Sequence, residues 1–164
     1  MNRLLLASVA ALALAAVSPA LADSVNGASA NGTAAVTIFT PITVTQTQGL
    51  DFGTITSGAA GDVAIDPASR ARSVDGGVGA VAADVGQPGT FAVTGQNNAA
   101  INVVVGSQIT GFAGGITGVT KVGTLPTVLA GTSASFAVGG SLAIPAKTTA
   151  GAYTGSYTVA VNYP

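Results

Sequence analysis

The last stretch of the chain, Gly151-Ala-Tyr-Thr-Gly-Ser-Tyr-Thr-Val-Ala-Val-Asn-Tyr-Pro164, narrows its possible folds more than any other. From Tyr153 the odd positions read Tyr153, Gly155, Tyr157, Val159, Val161 and Tyr163, and the even positions between them are small or polar. A period of two marks a strand with one buried face. So apolar a strand is an aggregation hazard if its edge stays open, so the pattern predicts that something pairs with it.

The start of the chain reads as a targeting segment. Arg3 supplies a positive charge, Leu4 to Val17 an apolar run broken by Ser8, and Ala20-Leu21-Ala22 a small-x-small cleavage site. The run is too short to span a membrane, and a secretory signal peptide over residues 1–22 is expected. The 164 residues less those 22 leave 142, the size of one domain with no transmembrane segment. Residues 23–40 read as an N-terminal extension and 41–164 as the domain itself. The expected destination is the periplasm, then the cell surface.

Composition closes off several functions. Without Arg3 the chain keeps Arg70, Arg72, Lys121 and Lys147 against six aspartates, a net charge near −2, so no basic patch exists for nucleic acid. Histidine, cysteine, tryptophan and glutamate are absent. Imidazole or thiolate metal sites cannot form, and a serine nucleophile would have only aspartate or lysine as its base. No catalytic, cofactor-binding or metal residue is assigned, and an enzyme is not expected. Asp62, Asp66 and Asp75 are close enough in sequence to suggest calcium. Asp-Pro and Asp-Gly are turn formers, however, and Arg70 and Arg72 lie near enough to neutralise them. With no cysteine, stability must come from strand pairing and core area.

Along the chain, Val36, Ile38, Thr40, Ile42 and Val44 alternate with Ala35, Thr37, Phe39, Pro41 and Thr43. That reads as one long strand, or as two in line broken at Pro41, followed by a polar joint at Gln46 to Gly49. Asn31-Gly32-Thr33 upstream is a loop signal. Val63 and Ile65 mark a short strand, and Ala68 to Gly89 read as loops around another at Gly79 to Ala82. Thr90 to Gly95 and Ile101 to Val105 read as a hairpin about Gln96-Asn97-Asn98, with a weaker strand at Ile116 to Val122. A second hairpin is expected about Gly139-Gly140, between Ser135–Val138 and Ser141–Ile144. No segment after the signal holds a helical period. The fold expected is all-β, an immunoglobulin-like antiparallel β-sandwich. The tyrosines are read as packing in its core ahead of stacking on a sugar.

Four motifs then converge: Leu50-Asp51-Phe52-Gly53-Thr54-Ile55, Val93-Thr94-Gly95-Gln96, Val138-Gly139-Gly140-Ser141-Leu142, and Ala150-Gly151-Ala152-Tyr153-Thr154-Gly155 with Val161-Asn162-Tyr163. Together they resemble the bacterial secreted domain-of-unknown-function family 4402 over about Pro41 to Pro164. They are also similar to spore-coat-U-type domains and to pilins of the archaic chaperone–usher pathway, whose penultimate aromatic and upstream glycine match Tyr163 and Gly151. The resemblance implies a pilin-like sandwich short of its last strand, completed by a neighbour's N-terminal extension. Ala34, Val36 and Ile38 would be the donor residues, and Tyr153, Tyr157, Val159, Val161 and Tyr163 would form the strand beside the groove. The implied function is a structural subunit of a cell-surface filament. Its implied partners are other copies or related subunits, a periplasmic chaperone and an outer-membrane usher. The alternative is a monomeric secreted sandwich, a surface or matrix protein with carbohydrate as a ligand class, whose own leader closes the groove.

Overall fold

The twelve-residue strand Ser133–Ile144 is the spine of the molecule. Its even positions Phe136, Val138, Gly140, Leu142 and Ile144 are all buried, the alternation of a strand with its face on a core. The computed structural model describes residues 27–164, in two units that divide between Val36 and Thr37. Residues 27–36 form neither strand nor helix and are exposed throughout. The expected signal peptide, residues 1–22, lies outside the described residues.

The unit Thr37–Pro164 holds nine strands: β1 (Thr43–Gln48), β2 (Ile55–Ile65), β3 (Arg72–Ala80), β4 (Gly89–Thr94), β5 (Asn102–Val105), β6 (Gln108–Ile109), β7 (Thr117–Val122), β8 (Ser133–Ile144) and β9 (Val159–Asn162). No helix occurs among the described residues, so none is long and apolar enough to cross a membrane. Every strand pair is antiparallel. One sheet follows the path β1-β4-β8-β2-β3, with β7 also on β8 and β6 on β7; β5 and β9 form the second. The protein is all-β.

The register shows how β8 organises the large sheet. Val138 partners both Gly89 of β4 and Val122 of β7, while Gly140 partners both Ile65 of β2 and Thr120 of β7. β4 and β2 therefore lie end to end along one edge of β8, and β7 runs along the other. Two apolar clusters follow from this arrangement. Phe136 and Val138 join Phe91 and Val93 of β4 against Val103 of β5 and Val161 of β9, closing one core between the two sheets. Leu142 and Ile144 join Val63 and Val78 in a second cluster, covered by Ile109 and Ile116 and by the partly buried Phe112 and Tyr153. The two-residue β6 and irregular chain cover this second core.

Several expectations are corrected here. Gly139-Gly140 is not a hairpin turn but the middle of β8. A Cβ at Gly139 would strike the Ile65 carbonyl and Pro67, and one at Gly140 would lie 2.8 Å from the Val119 carbonyl. These glycines let neighbouring backbones close in. Gln96-Asn97-Asn98 is not a hairpin turn either: β4 pairs with β1 and β8, β5 with β9, so the chain crosses between sheets there. The loop-rich reading of Ala68 to Gly89, with a short strand at Gly79 to Ala82, caught only the end of β3, which runs over the nine residues Arg72–Ala80 and in which Gly77 accommodates the backbone of Ala59. Pairing of the first strand begins only at Thr43, after Pro41, and Gln46 to Gln48 belong to β1 as a bulge, not to a joint. At the end of the chain only Val159–Asn162 form a strand, with Ser156 making an isolated bridge to Thr110.

Candidate functional site, an open groove beside the C-terminal strand

Among the described residues, β9 has β5 on one edge and no strand on the other, and β1 likewise has β4 alone. The free edge of β9 can be read from its bonds. Ser156 exchanges both backbone hydrogen bonds with Thr110, and Thr158 accepts from Gly106 at 2.9 Å. In an antiparallel ladder every second residue turns its N–H and C=O to the same side. Those of Gly155, Tyr157, Val159 and Val161 consequently face away from β5, with no strand to receive them.

A groove of two compartments that share Leu50, Gly155 and Tyr157 adjoins these edges, and only its smaller compartment lies between them. The smaller, about 410 Å³, lies between Val44 and Gln46 of β1 and Val159, with Phe91 also lining it. The larger, about 590 Å³, lies between Phe52 and Tyr153, with Ile109, Phe112 and Leu142 beneath. From Tyr153 to Val159 extended chain covers about 20 Å, the length of an ordinary strand. The groove mixes apolar walls (Leu50, Phe52, Phe91, Val159) with polar groups such as Gln46, Asp51, Thr54 and Ser156.

Its wall is built by the Leu50-Asp51-Phe52-Gly53 motif. Asp51 and Gln87 exchange backbone hydrogen bonds at 2.8 and 2.7 Å, and the Asp51 carboxylate accepts from the Gly53 N–H at 2.8 Å. Gly53 has φ +70°, and a Cβ there would lie 2.5 Å from the Asp84 carbonyl. The Arg72 guanidinium donates to the carbonyls of Phe52, Thr54, Asp84 and Val81 at 3.2, 3.1, 2.6 and 2.8 Å. The Thr54 hydroxyl donates to Asp84 at 2.7 Å, which lowers that carboxyl below its ordinary pKa. These eight hydrogen bonds hold the segment that carries Leu50 and Phe52 at the groove. In the opposite wall Gly155 lets the Phe112 ring pack against the backbone, since a Cβ there would lie 2.6 Å from that ring.

The sequence-identified residues divide between wall, core and surface. Tyr153, Tyr157 and Val159 line the groove, and Val161 is buried in the first core. The Tyr153 hydroxyl donates to the Thr149 carbonyl at 2.6 Å. The Tyr157 hydroxyl is buried without a hydrogen bond; burial raises its pKa above the ordinary 10.0, which the polar Gln46 side chain partly offsets. Tyr163 lines neither compartment and packs on the first core, its hydroxyl donating to the Thr40 carbonyl and accepting from the Gln96 N–H, each at 2.7 Å. Val36 and Ile38 are 84% and 85% exposed, Ala34 is exposed, and none of the three is in a strand. Leu50, Ile109, Phe112 and Gln96 were not picked out as site residues. Only the motifs containing Leu50 and Gln96 signalled them.

The aspartates do not gather. Asp62 and Asp75 are register partners across β2 and β3, and no group of three or more acidic residues that could hold a metal occurs among the described residues. Asp66 closes its own turn, accepting from the N–H groups of Ala68 and Ser69, both at 2.9 Å. Its ion-pair partner is Lys121 at 2.7 Å, not the expected arginines. That bond, with the turn N–H groups, holds the Asp66 carboxyl far below the ordinary carboxylate range.

A family profile described as Domain of unknown function (DUF4402) matches residues 42–163, a span that takes in all nine strands and both compartments of the groove. No curated protein and no solved structure matches the chain.

Proposed function

The chain belongs to the DUF4402 family of domains of unknown function, and on that premise we propose that it is a structural subunit of a cell-surface filament. In this reading it is an immunoglobulin-like, pilin-like sandwich that lacks one strand, and copies join when the exposed leader of one fills the groove of the next. The observation that carries the proposal is the groove itself: an open, partly apolar trough that starts between the free edges of β1 and β9 and continues to Tyr153, in a chain that also has an exposed, alternating apolar leader.

The energetics suit this. Val36 and Ile38 would each gain about 1.5–3 kcal/mol on full burial. The backbone groups of Gly155, Tyr157, Val159 and Val161 would gain ladder partners at roughly 1 kcal/mol per bond. A joint of this kind is head-to-tail, so it propagates into a fibre and closes no dimer. Export by the leading segment would present the groove empty, where a periplasmic chaperone could cover it until an outer-membrane usher passed the subunit on.

The full-length chain, run by size exclusion and on an unheated denaturing gel, should give a ladder of multimers. Substituting Val36→Asp and Ile38→Asp, both at exposed positions, should remove the ladder and leave a folded monomer. A chain that is monomeric at every concentration is instead the self-contained secreted sandwich.

A further inference from the structure

Thr40, Gln96 and Tyr163 come together from the leader, the crossing after β4 and the end of the chain. Thr40 donates from both its N–H and its hydroxyl to the Gln96 side-chain oxygen, each at 3.2 Å, and its carbonyl accepts from the Tyr163 hydroxyl at 2.7 Å. The same hydroxyl accepts from the Gln96 N–H. The Phe39 ring stands edge-on to Tyr163, centroids 5.2 Å apart at 87°. Gly95 admits the phenol: a Cβ there would run into the Tyr163 hydroxyl. The Val93-Thr94-Gly95-Gln96 motif finds its use here.

We infer that this clamp is a positioning device that keeps the leader out of its own groove and leaves it for a neighbour, an inference that rests on the filament reading above. To fill its own groove the chain would have to reverse at Thr40-Pro41 and run back along β1 as a hairpin. Such a turn needs the backbone groups of Thr40, and the clamp already holds them. Pro41 has no N–H to replace them. β1 starts at Thr43 opposite Thr94, the last residue of β4, and Thr40 is held at Gln96, two residues further on. Ile38, one step beyond the clamped Phe39, is in solvent.

The test exploits the absence of cysteine. In the full-length chain, Val159→Cys is combined with a cysteine at Val36 or Ile38, and disulfides are read as between copies or within one. With the clamp intact the bonds should join different copies. Adding Tyr163→Phe, which keeps the ring and removes both hydroxyl bonds, should raise the within-chain fraction roughly tenfold. Gln96→Ala should do the same, while Tyr153→Phe, which removes a hydroxyl bond elsewhere on the groove, should not. Between-copy disulfides unchanged by Tyr163→Phe and Gln96→Ala would overturn the clamp and leave the filament reading standing. Disulfides within one copy from the outset overturn both, as does the absence of any.

Discussion

The ring of Tyr157 meets that of Phe91 edge-on, with centroids 6.1 Å apart and planes at 77°. Tyr157 packs on both buried clusters and lines both compartments of the groove. Its hydroxyl is buried beside the α-carbon of Gly89, where a Cβ would lie 2.5 Å away, and has no hydrogen bond. The ring supplies the packing and the hydroxyl supplies none.

Tyr157→Phe should therefore leave stability unchanged or raise it by about 1 kcal/mol, since an unsatisfied polar atom is removed. Tyr157→Ala should cost about 3 kcal/mol, because both clusters lose a ring. Urea denaturation of the two variants separates the effects.

Gly139→Ala should destabilise by at least about 2 kcal/mol, because the added carbon meets the Ile65 carbonyl and backbone cannot move aside as a side chain can. Gly58→Ala, with nothing within 4 Å of the added carbon, should be neutral or mildly stabilising. Thermal melting of both tests whether β8 depends on backbone contact at its centre.

Arg72→Lys should cost about 1–3 kcal/mol, because an ammonium cannot span the four carbonyls that the guanidinium joins. The loss should come with faster amide exchange at Phe52 to Ile55, the groove wall that Arg72 holds.

The pH dependence has a definite sign at each end. Asp66 and Asp84 are held below the ordinary 3.8, so their contribution is present above that value and lost as pH falls below it. Tyr157 is raised above the ordinary 10.0, so its contribution is present below that value and lost as pH climbs through the raised one. The chain has no histidine, and melting temperature should be flat from about pH 5 to 8. Lys121→Met should flatten the acid limb and Tyr157→Phe the alkaline one.

The sequence revealed the faces of the strands better than their partners. Alternation marked Thr90–Gly95 and Ile101–Val105, which became β4 and β5, because burial of every second residue is a local record of a core. It could not say that β4 and β5 lie in different sheets, since that choice rests on what packs across from Phe91 and Val103. Gly139-Gly140 misled because a glycine pair serves equally for a turn and for close backbone approach. At the C-terminus the pattern ran from Tyr153 to Tyr163, yet only Val159 to Asn162 form a strand. Side chains there obey the core while the backbone edge has no mate. The groove floor drew on Ile109 and Phe112, whose segments carry no alternation to read.

The most direct measurement is binding of a synthetic peptide spanning residues 31–39 to a chain lacking residues 23–39, followed by backbone amide shifts. Donor-strand completion predicts saturable shifts and slowed exchange at Gly155, Tyr157, Val159 and Val161, the amides that face the empty edge, and no effect from a peptide carrying Asp at positions 36 and 38. Amides at those four positions that stay unmoved at saturating peptide, or that shift equally with the Asp-bearing peptide, would contradict it.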